Sequence, residues 1–187
     1  MSTHDPPTLG FLLQPCPLGW ALAVASPLGL RALYLGDTRA ALQALLHRDF
    51  PAAEPAPAAH PLQPLLSAAL RELAPGKSPA DLPLDLRGTP FQLAVWRSLQ
   101  KIPAGETASY QHVAQSLGLP RAARAVAAAC AANRVAVLVP CHRVLRSDGR
   151  VAGYRWGVER KRALLAAEST SSASSPLKRT GSSKKAE

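Results

Sequence analysis

Apolar runs of strand length alternate with turn signals over the first part of the chain. Residues 10–13, 19–25 and 29–35 are such runs, separated by Pro15 and Pro17 and then by Pro27-Leu28-Gly29. Short runs punctuated in this way predict an antiparallel meander. Asp37 or Thr38 can cap a helix in which Ala41, Leu42, Leu45 and Leu46 recur at helical spacing. That helix should end before Pro51. The Pro/Ala-rich stretch 51–61 reads as a loop, 62–73 as a second helix stopped by Pro75-Gly76, and 82–86 as one more strand. His47 and His60 stand alone and read as exposed polar residues, and Cys16, between two prolines, as a loop thiol.

The pattern then turns helical. Thr89-Pro90 is an N-cap followed by proline at the first helical position, and Phe91, Val95, Trp96 and Leu99 share a face of a helix running to about Lys101. Pro103-Ala104-Gly105 breaks it. Ser109 caps a short helix to Leu117, Gly118-Leu119-Pro120 makes a tight turn, and 121–132 is the next helix. A short helix, a glycine-bearing turn and a second helix predict a helix-turn-helix. The β-branched run 135–139, ended by Pro140, reads as a buried strand stopping at Cys141. Val144-Leu145 reads as a return strand, Ser147-Asp148-Gly149 as the turn of a wing, and 158–167 as a last helix. Residues 1–9 and the Ser-rich, Lys-ended 169–187 are too polar to bury a core and are expected to be disordered.

Charge divides the chain the same way. The net charge is +10, but residues 1–86 sum to −2, residues 87–168 to +9 and residues 169–187 to +3. A basic excess confined to one segment suggests a polyanion as that segment's partner; a merely soluble basic surface is the plain alternative. No apolar run is long enough to span a bilayer, and no helix pairs a basic face with exposed aromatics, so a membrane partner is not expected. The start of the chain lacks the basic and apolar stretches of a signal peptide. The cysteines Cys16, Cys130 and Cys141 include no CxxC pair, which predicts neither a disulfide framework nor a zinc site and suits a reducing, cytoplasmic setting.

Chemistry concentrates at Pro140-Cys141-His142-Arg143. A thiol at a strand end beside an imidazole and a guanidinium has the parts of an activated nucleophile, because nearby cations favour the thiolate. The alternative is a buried structural cysteine. The 121–132 helix carries eight alanines and, past Arg121 at its start, the single long cation Arg124, with few side chains able to read bases from the major groove. Small side chains permit close approach to a narrow minor groove, although alanine is also simply a good helix former.

These residues, with Asn133, Tyr154-Arg155-Trp156-Gly157, Ala108-Ser109-Tyr110-Gln111 and Arg121-Ala122-Ala123-Arg124-Ala125-Val126, resemble the O6-alkylguanine-DNA alkyltransferases. The likeness runs from about Phe91 to Glu168 and is nearest to the transferase module of the bacterial adaptive-response protein; before Phe91 it is weak. It implies a fold of a small ribonuclease-H-like α/β domain over 10–86 and a winged helix-turn-helix domain over 87–168. It implies irreversible, single-turnover transfer of an alkyl group from O6-alkylguanine, and from O4-alkylthymine, in double-stranded DNA to Cys141. No cofactor and no metal are implied, and the protein is expected to act as a monomer.

The resemblance also distributes roles. His142 would be the base, acting through a bridging water, and Glu168 would orient it, where the residues alone suggest a helix-end carboxylate. Asn133 would tie the recognition helix to the active-site turn, and it also reads as a helix C-cap. Tyr110 would donate to the guanine ring nitrogen, and otherwise packs a first helical turn. Arg124 would fill the space of the extruded base; a phosphate contact is the alternative. Gln111, Ala123, Ala127 and Ser147 would join Tyr110 and Arg124 on DNA, and Pro140, Val144, Tyr154, Arg155 and Trp156 would form the substrate pocket. Trp156 is expected to narrow that pocket against large adducts. Two rivals remain: a non-catalytic lesion binder, against which Cys141 argues, and a winged-helix regulator, against which the alanine-rich helix argues.

Overall fold

A computed structural model describes residues 8–73 and 81–173, with side chains to residue 170. The segments 1–7 and 174–187 of the expected disordered ends, and the stop at Pro75-Gly76, lie outside these residues. Three strands, β1 (Leu9–Cys16), β2 (Gly19–Ser26) and β3 (Gly29–Gly36), form the expected meander. Both hairpin turns use glycine at positive φ, Gly19 at 105° and Gly29 at 143°. At Gly29 a Cβ would lie 2.5 Å from the Pro83 carbonyl oxygen, so only glycine fits there. Thr38 caps α1 (Arg39–Asp49), its hydroxyl accepting from the Ala41 amide at 3.1 Å.

Several expectations change in this half: Leu9, expected in the disordered start, and Cys16, expected in a loop, are the two ends of β1. The stretch read as a loop contains β4 (Ala53–Pro55), which pairs parallel to β1, so the sheet order is β3-β2-β1-β4. A three-residue edge strand bearing a proline gives no sequence signal. Residues 82–86 are not a strand; their ladder contact is the isolated bridge of Leu84 with Leu30. His60 is half-buried, its Nδ1 accepting from the Leu62 amide.

Helices α1 and α2 (Gln63–Arg71) pack on the sheet. Residues 21–25 of β2 are all buried with no alternation. A strand without alternation is covered on both faces. The second cover comes partly from the C-terminal half, where Val135 bridges Leu33 and Trp156 lies on Tyr34 with ring centroids 4.8 Å apart. One apolar core therefore runs through both halves. Each fully buried leucine in it, such as Leu22 or Leu33, contributes about 1.5–3 kcal/mol.

The C-terminal half opens with α3 (Pro90–Leu99), whose Thr89–Gln92 capping box is complete. A two-stranded parallel pair, β5 (Ala108–Ser109) with β6 (Val144–Leu145), lies beside α4 (Tyr110–Ser116), and Ser109 caps α4. Helix α5 spans Ala123–Ala132, two residues shorter at its start than expected, and Trp96 Nε1 donates to the Ala129 carbonyl to pin α3 against it. The turn 146–150 is present, with Gly149 at φ 75°. The last helix, α6 (Val158–Ala173), runs past Ala167, so residues 169–173 are helical and not disordered.

The buried run into Cys141 is not a strand. Only Val135 bridges β3; the chain then turns, with Val137 at φ 67°. Asn133 replaces the missing ladder. Its side-chain oxygen accepts from the Val135 amide at 2.9 Å, and its Nδ2 donates to the Val139 carbonyl at 2.8 Å. An apolar β-branched run looks alike in a buried strand and in a buried turn, and a side-chain amide that satisfies the backbone polar groups permits the turn.

Candidate active site

Cys141 begins a single 3-10 turn, Cys141–Arg143, at the end of that irregular run. Cys141 is 3% exposed, and its sulfur accepts from Asn133 Nδ2 at 3.1 Å. Asn133 is also the C-cap of α5. One amide thus joins helix, turn and thiol.

Behind the thiol lies a buried polar chain. His142 is fully buried, and its Nε2 is 2.9 Å from Glu168 Oε1. Arg143 faces the same carboxylate, through Nε at 3.0 Å and Nη2 at 2.8 Å, and its Nη1 donates to the Ile102 carbonyl. Burial acts first on Glu168 and opposes ionisation, but the bonds from His142 and then Arg143 outweigh it and hold its pKa at about 2. Burial also pushes His142 down, against the pull of Glu168. A neutral imidazole beside an ionised carboxylate carries its proton on Nε2, which leaves the Nδ1 lone pair as an acceptor. Nδ1 is buried and has no protein partner.

The expectation that Arg143 activates the neighbouring thiol is corrected: its guanidinium is committed to Glu168. The cations that act on the thiol are Lys161, which sequence reasoning missed, and then Arg155 of the cavity wall. Lys161 is 0% exposed, and its Nζ donates to the Val144 carbonyl at 2.6 Å. Burial raises the Cys141 thiol, and Asn133, then Lys161, pull it back toward the thiolate. Lys161 lies in Arg160-Lys161-Arg162, which looks like a solvated run. Its spacing to Leu164 and Glu168, both buried on α6, was the available signal.

A cavity of about 430 Å³ opens beside the sulfur, lined by Tyr110, Ala127, Cys130, Ala131, Cys141, Ala152, Gly153, Tyr154 and Arg155. Burial raises Tyr110 to about 12, so the phenol keeps its proton across the neutral range. Cys130, on α5, is likewise pushed up to about 12 by burial. Pro140 and Val144 are buried next to the cysteine and are not in the lining. Trp156 is not in the lining either. Its indole packs on Tyr34 of β3, which corrects the view that it narrows the pocket by its own bulk.

A second groove adjoins the first and shares Tyr110, Ala127 and Ala152 with it; Gln111, Ala123, Arg124, Arg146, Ser147 and Asp148 complete it. Arg124 is exposed there, and Gln111 Nε2 donates to the Pro120 carbonyl at 2.6 Å, bracing the α4–α5 turn. Among the described residues no three His, Cys, Asp or Glu side chains gather to hold a metal ion, and no helix is long and apolar enough to cross a membrane.

A hydrogen-bonded thiol backed by an imidazole and a carboxylate, at the wall of an open cavity, defines a protein built around a cysteine nucleophile. Residues 90–170 match the family model described as the DNA binding domain of 6-O-methylguanine DNA methyltransferase. The O6-methylguanine methyltransferase of Mycobacterium tuberculosis is similar in structure, with a TM-score of 0.69 and 34% identity, over 87% of this chain and 94% of that one. The chain belongs to the O6-methylguanine-DNA methyltransferase family. It is also similar to a structure of M. tuberculosis OGT in complex with DNA, at TM-score 0.69 and 34% identity, over 88% of this chain and 94% of that one. In Escherichia coli K12 the bifunctional transcriptional activator/DNA repair enzyme Ada is 49% identical over 158 residues, 84% of this chain and 45% of that protein. The chain spans about half the length of the curated relatives it matches.

Proposed function

We propose that the protein repairs DNA by transferring an alkyl group from the O6 atom of guanine irreversibly to Cys141. The observation that carries this reading is the thiol at the cavity wall, with Asn133 on its sulfur and the His142–Glu168 pair behind it. Cys141 gives its proton to His142 Nδ1 through a bridging water. The sulfur attacks the alkyl carbon, the S–C bond forms and the C–O6 bond breaks. The departing electron pair enters the guanine ring, whose nitrogen takes the Tyr110 phenol proton, and the phenol regains the proton that the His142 imidazolium returns through water, so a neutral base leaves. Glu168 stays ionised and stabilises the imidazolium. The product is a thioether, and nothing in the site regenerates the thiol, so each molecule acts once. O4-alkylthymine presents the same kind of carbon and is a second substrate of this reading.

Duplex DNA approaches through its minor groove against α5, whose Ala123 and Ala127 leave room for the backbone. Tyr110, Gln111, Arg124 and Ser147 line that groove, and Arg124 takes the place of the base extruded into the cavity. Tyr154 and Arg155 flank the flipped base. In this reading the strand order of the first sheet is that of a ribonuclease-H-like unit, α4 and α5 are a helix-turn-helix, and the 146–150 turn is its wing.

The test is intact mass after mixing the protein with duplex DNA containing O6-methylguanine. One added methyl group is expected, mapped to Cys141 by peptide analysis and absent in Cys141→Ala. A label on Cys16 or Cys130 would overturn the assignment.

A further inference from the structure

The outer wall of the Cys141 cavity is the segment 152–155, which has neither helix nor regular strand. Backbone of this kind holds its place only through the contacts its own groups make. Three of those contacts lie close to the cavity. Arg155 Nη1 donates to the Ala131 carbonyl of α5 at 3.2 Å, the Gly157 amide bonds the Tyr154 carbonyl at 3.0 Å, and Trp156 seals against Tyr34. The fourth comes from Arg160 on α6. Its Nη1 donates to the Trp156 carbonyl at 2.8 Å, while Nε donates to the Leu18 carbonyl at 2.7 Å and Nη2 reaches Asp37 Oδ1 at 2.5 Å.

Leu18 sits in the β1–β2 turn and Asp37 follows β3, so one guanidinium joins the sheet to the cavity wall at three points. The Arg160 side chain is 15% exposed, whereas Asp37 is 90% exposed. A pair with so exposed a carboxylate adds little energy by itself. The two carbonyl bonds, set by the rigid fork, are what fix position. Gly19, held to glycine by its φ of 105° and by the Gly36 carbonyl oxygen 2.7 Å from where a Cβ would stand, also leaves the fork clear, since that Cβ would lie 3.1 Å from Arg160 Nη2.

We propose that Arg160 is a positioning residue through which the N-terminal sheet holds the cavity wall in place and so limits the size of alkyl group accepted. This rests on the alkyl-transfer reading for its consequence, but not for its geometry. Arg160→Lys keeps the charge facing Asp37 and loses the fork; Arg160→Met loses both.

The experiment uses the full chain and two readouts. The first is amide hydrogen exchange over residues 152–157. Both variants should exchange about ten-fold faster there with the β2 and β3 amides unchanged. The second is the ratio of transfer rates for O6-benzylguanine and O6-methylguanine, which should rise about five-fold, since a wall free to yield no longer forces overpacking. If exchange over 152–157 does not change in Arg160→Lys, the positioning role is overturned whatever the reaction does. If exchange rises and the ratio does not, the limit on alkyl size is overturned. If the wild-type protein transfers neither group while exchange still rises, the alkyl-transfer reading fails and the tether stands. Arg160→Lys, the milder change, carries the decision if Arg160→Met does not fold.

Discussion

The sheet half and the helical half of this molecule share one apolar core and bury their polar side chains in different ways. The buried side chains of β2 and β3 are apolar apart from Ser26, which bonds the buried Asp85, and the Asp85 carboxylate is also held by Arg31 and Arg87. The helical half buries Asn133, His142, Arg143, Lys161 and Glu168 around one thiol. Apolar burial stabilises wherever it occurs, whereas a buried charge does so only while every partner is present. The first region is therefore tolerant and the second brittle. The brittle one holds the cysteine.

The largest break should come at Glu168. Glu168→Gln leaves the buried Arg143 without its charge partner and puts a neutral amide in place of the charged acceptor that fixes the His142 proton on Nε2. Removing one member of such a network costs about 3–5 kcal/mol. Leu22→Ala in the sheet costs a similar 2–5 kcal/mol through its cavity. Urea unfolding should show comparable losses for the two variants. Transfer rates measured well below the unfolding transition should collapse for Glu168→Gln alone. Equal rates in the two variants would mean that the carboxylate only holds the fold.

Acid should separate the halves next. The folded-state pKa of Glu168 is held at about 2 against an ordinary value of 4.5. Its contribution is therefore complete above about pH 4.5 and is lost as pH falls toward 2. His142 works in the same direction. Burial depresses it below 6.5, so stability begins to fall as pH drops past that value. The thermal midpoint should fall steadily from pH 7 to pH 3, and Glu168→Gln should reduce the part of that slope below pH 4.5, leaving the share that Asp85 and Asp49 contribute. An identical slope in the variant would place the acid sensitivity elsewhere, in Asp85 or Asp49, whose pKa values are also lowered.

The same contrast explains what could be read from the sequence. The meander, the Thr38 and Thr89 caps and the alanine-rich helix follow from local pattern, because propensity, capping and burial there agree. Cys141 and His142 were legible as neighbours in the chain. Asn133 and Glu168 gained their roles only from the family likeness, since an asparagine after a helix and a glutamate near a helix end look ordinary. Lys161 was hidden because lysine is rarely buried, and only its carbonyl partner on β6 and the nearby thiols account for it. The strand expected at 135–139 failed because Asn133, outside the run, supplies the bonds that let it turn. Trp156 was assigned to the pocket by likeness, and its actual neighbour, Tyr34, is far away in the chain.

The smallest effect should come from the sheet half's own polar pair. Ser26→Ala removes one of three groups bonded to Asp85; Arg31 Nη1 at 2.7 Å and Arg87 Nε at 2.8 Å remain. The carboxylate stays ionised and partnered, and the Leu28 amide also loses Ser26 Oγ as its acceptor at 3.2 Å, so the cost should be that of two hydrogen bonds, about 2 kcal/mol. The transfer rate should not change, because no bond of Ser26 or Asp85 reaches the Cys141 cavity. In the helical half the comparable deletion, Asn133→Ala, strips bonds from the thiol and from Val135 and Val139 together. Measuring both by urea unfolding sharpens the contrast. If Ser26→Ala cost as much as Asn133→Ala, the sheet's polar pair would be as brittle as the site, and the difference between the halves would lie in chemistry alone and not in how each is held together.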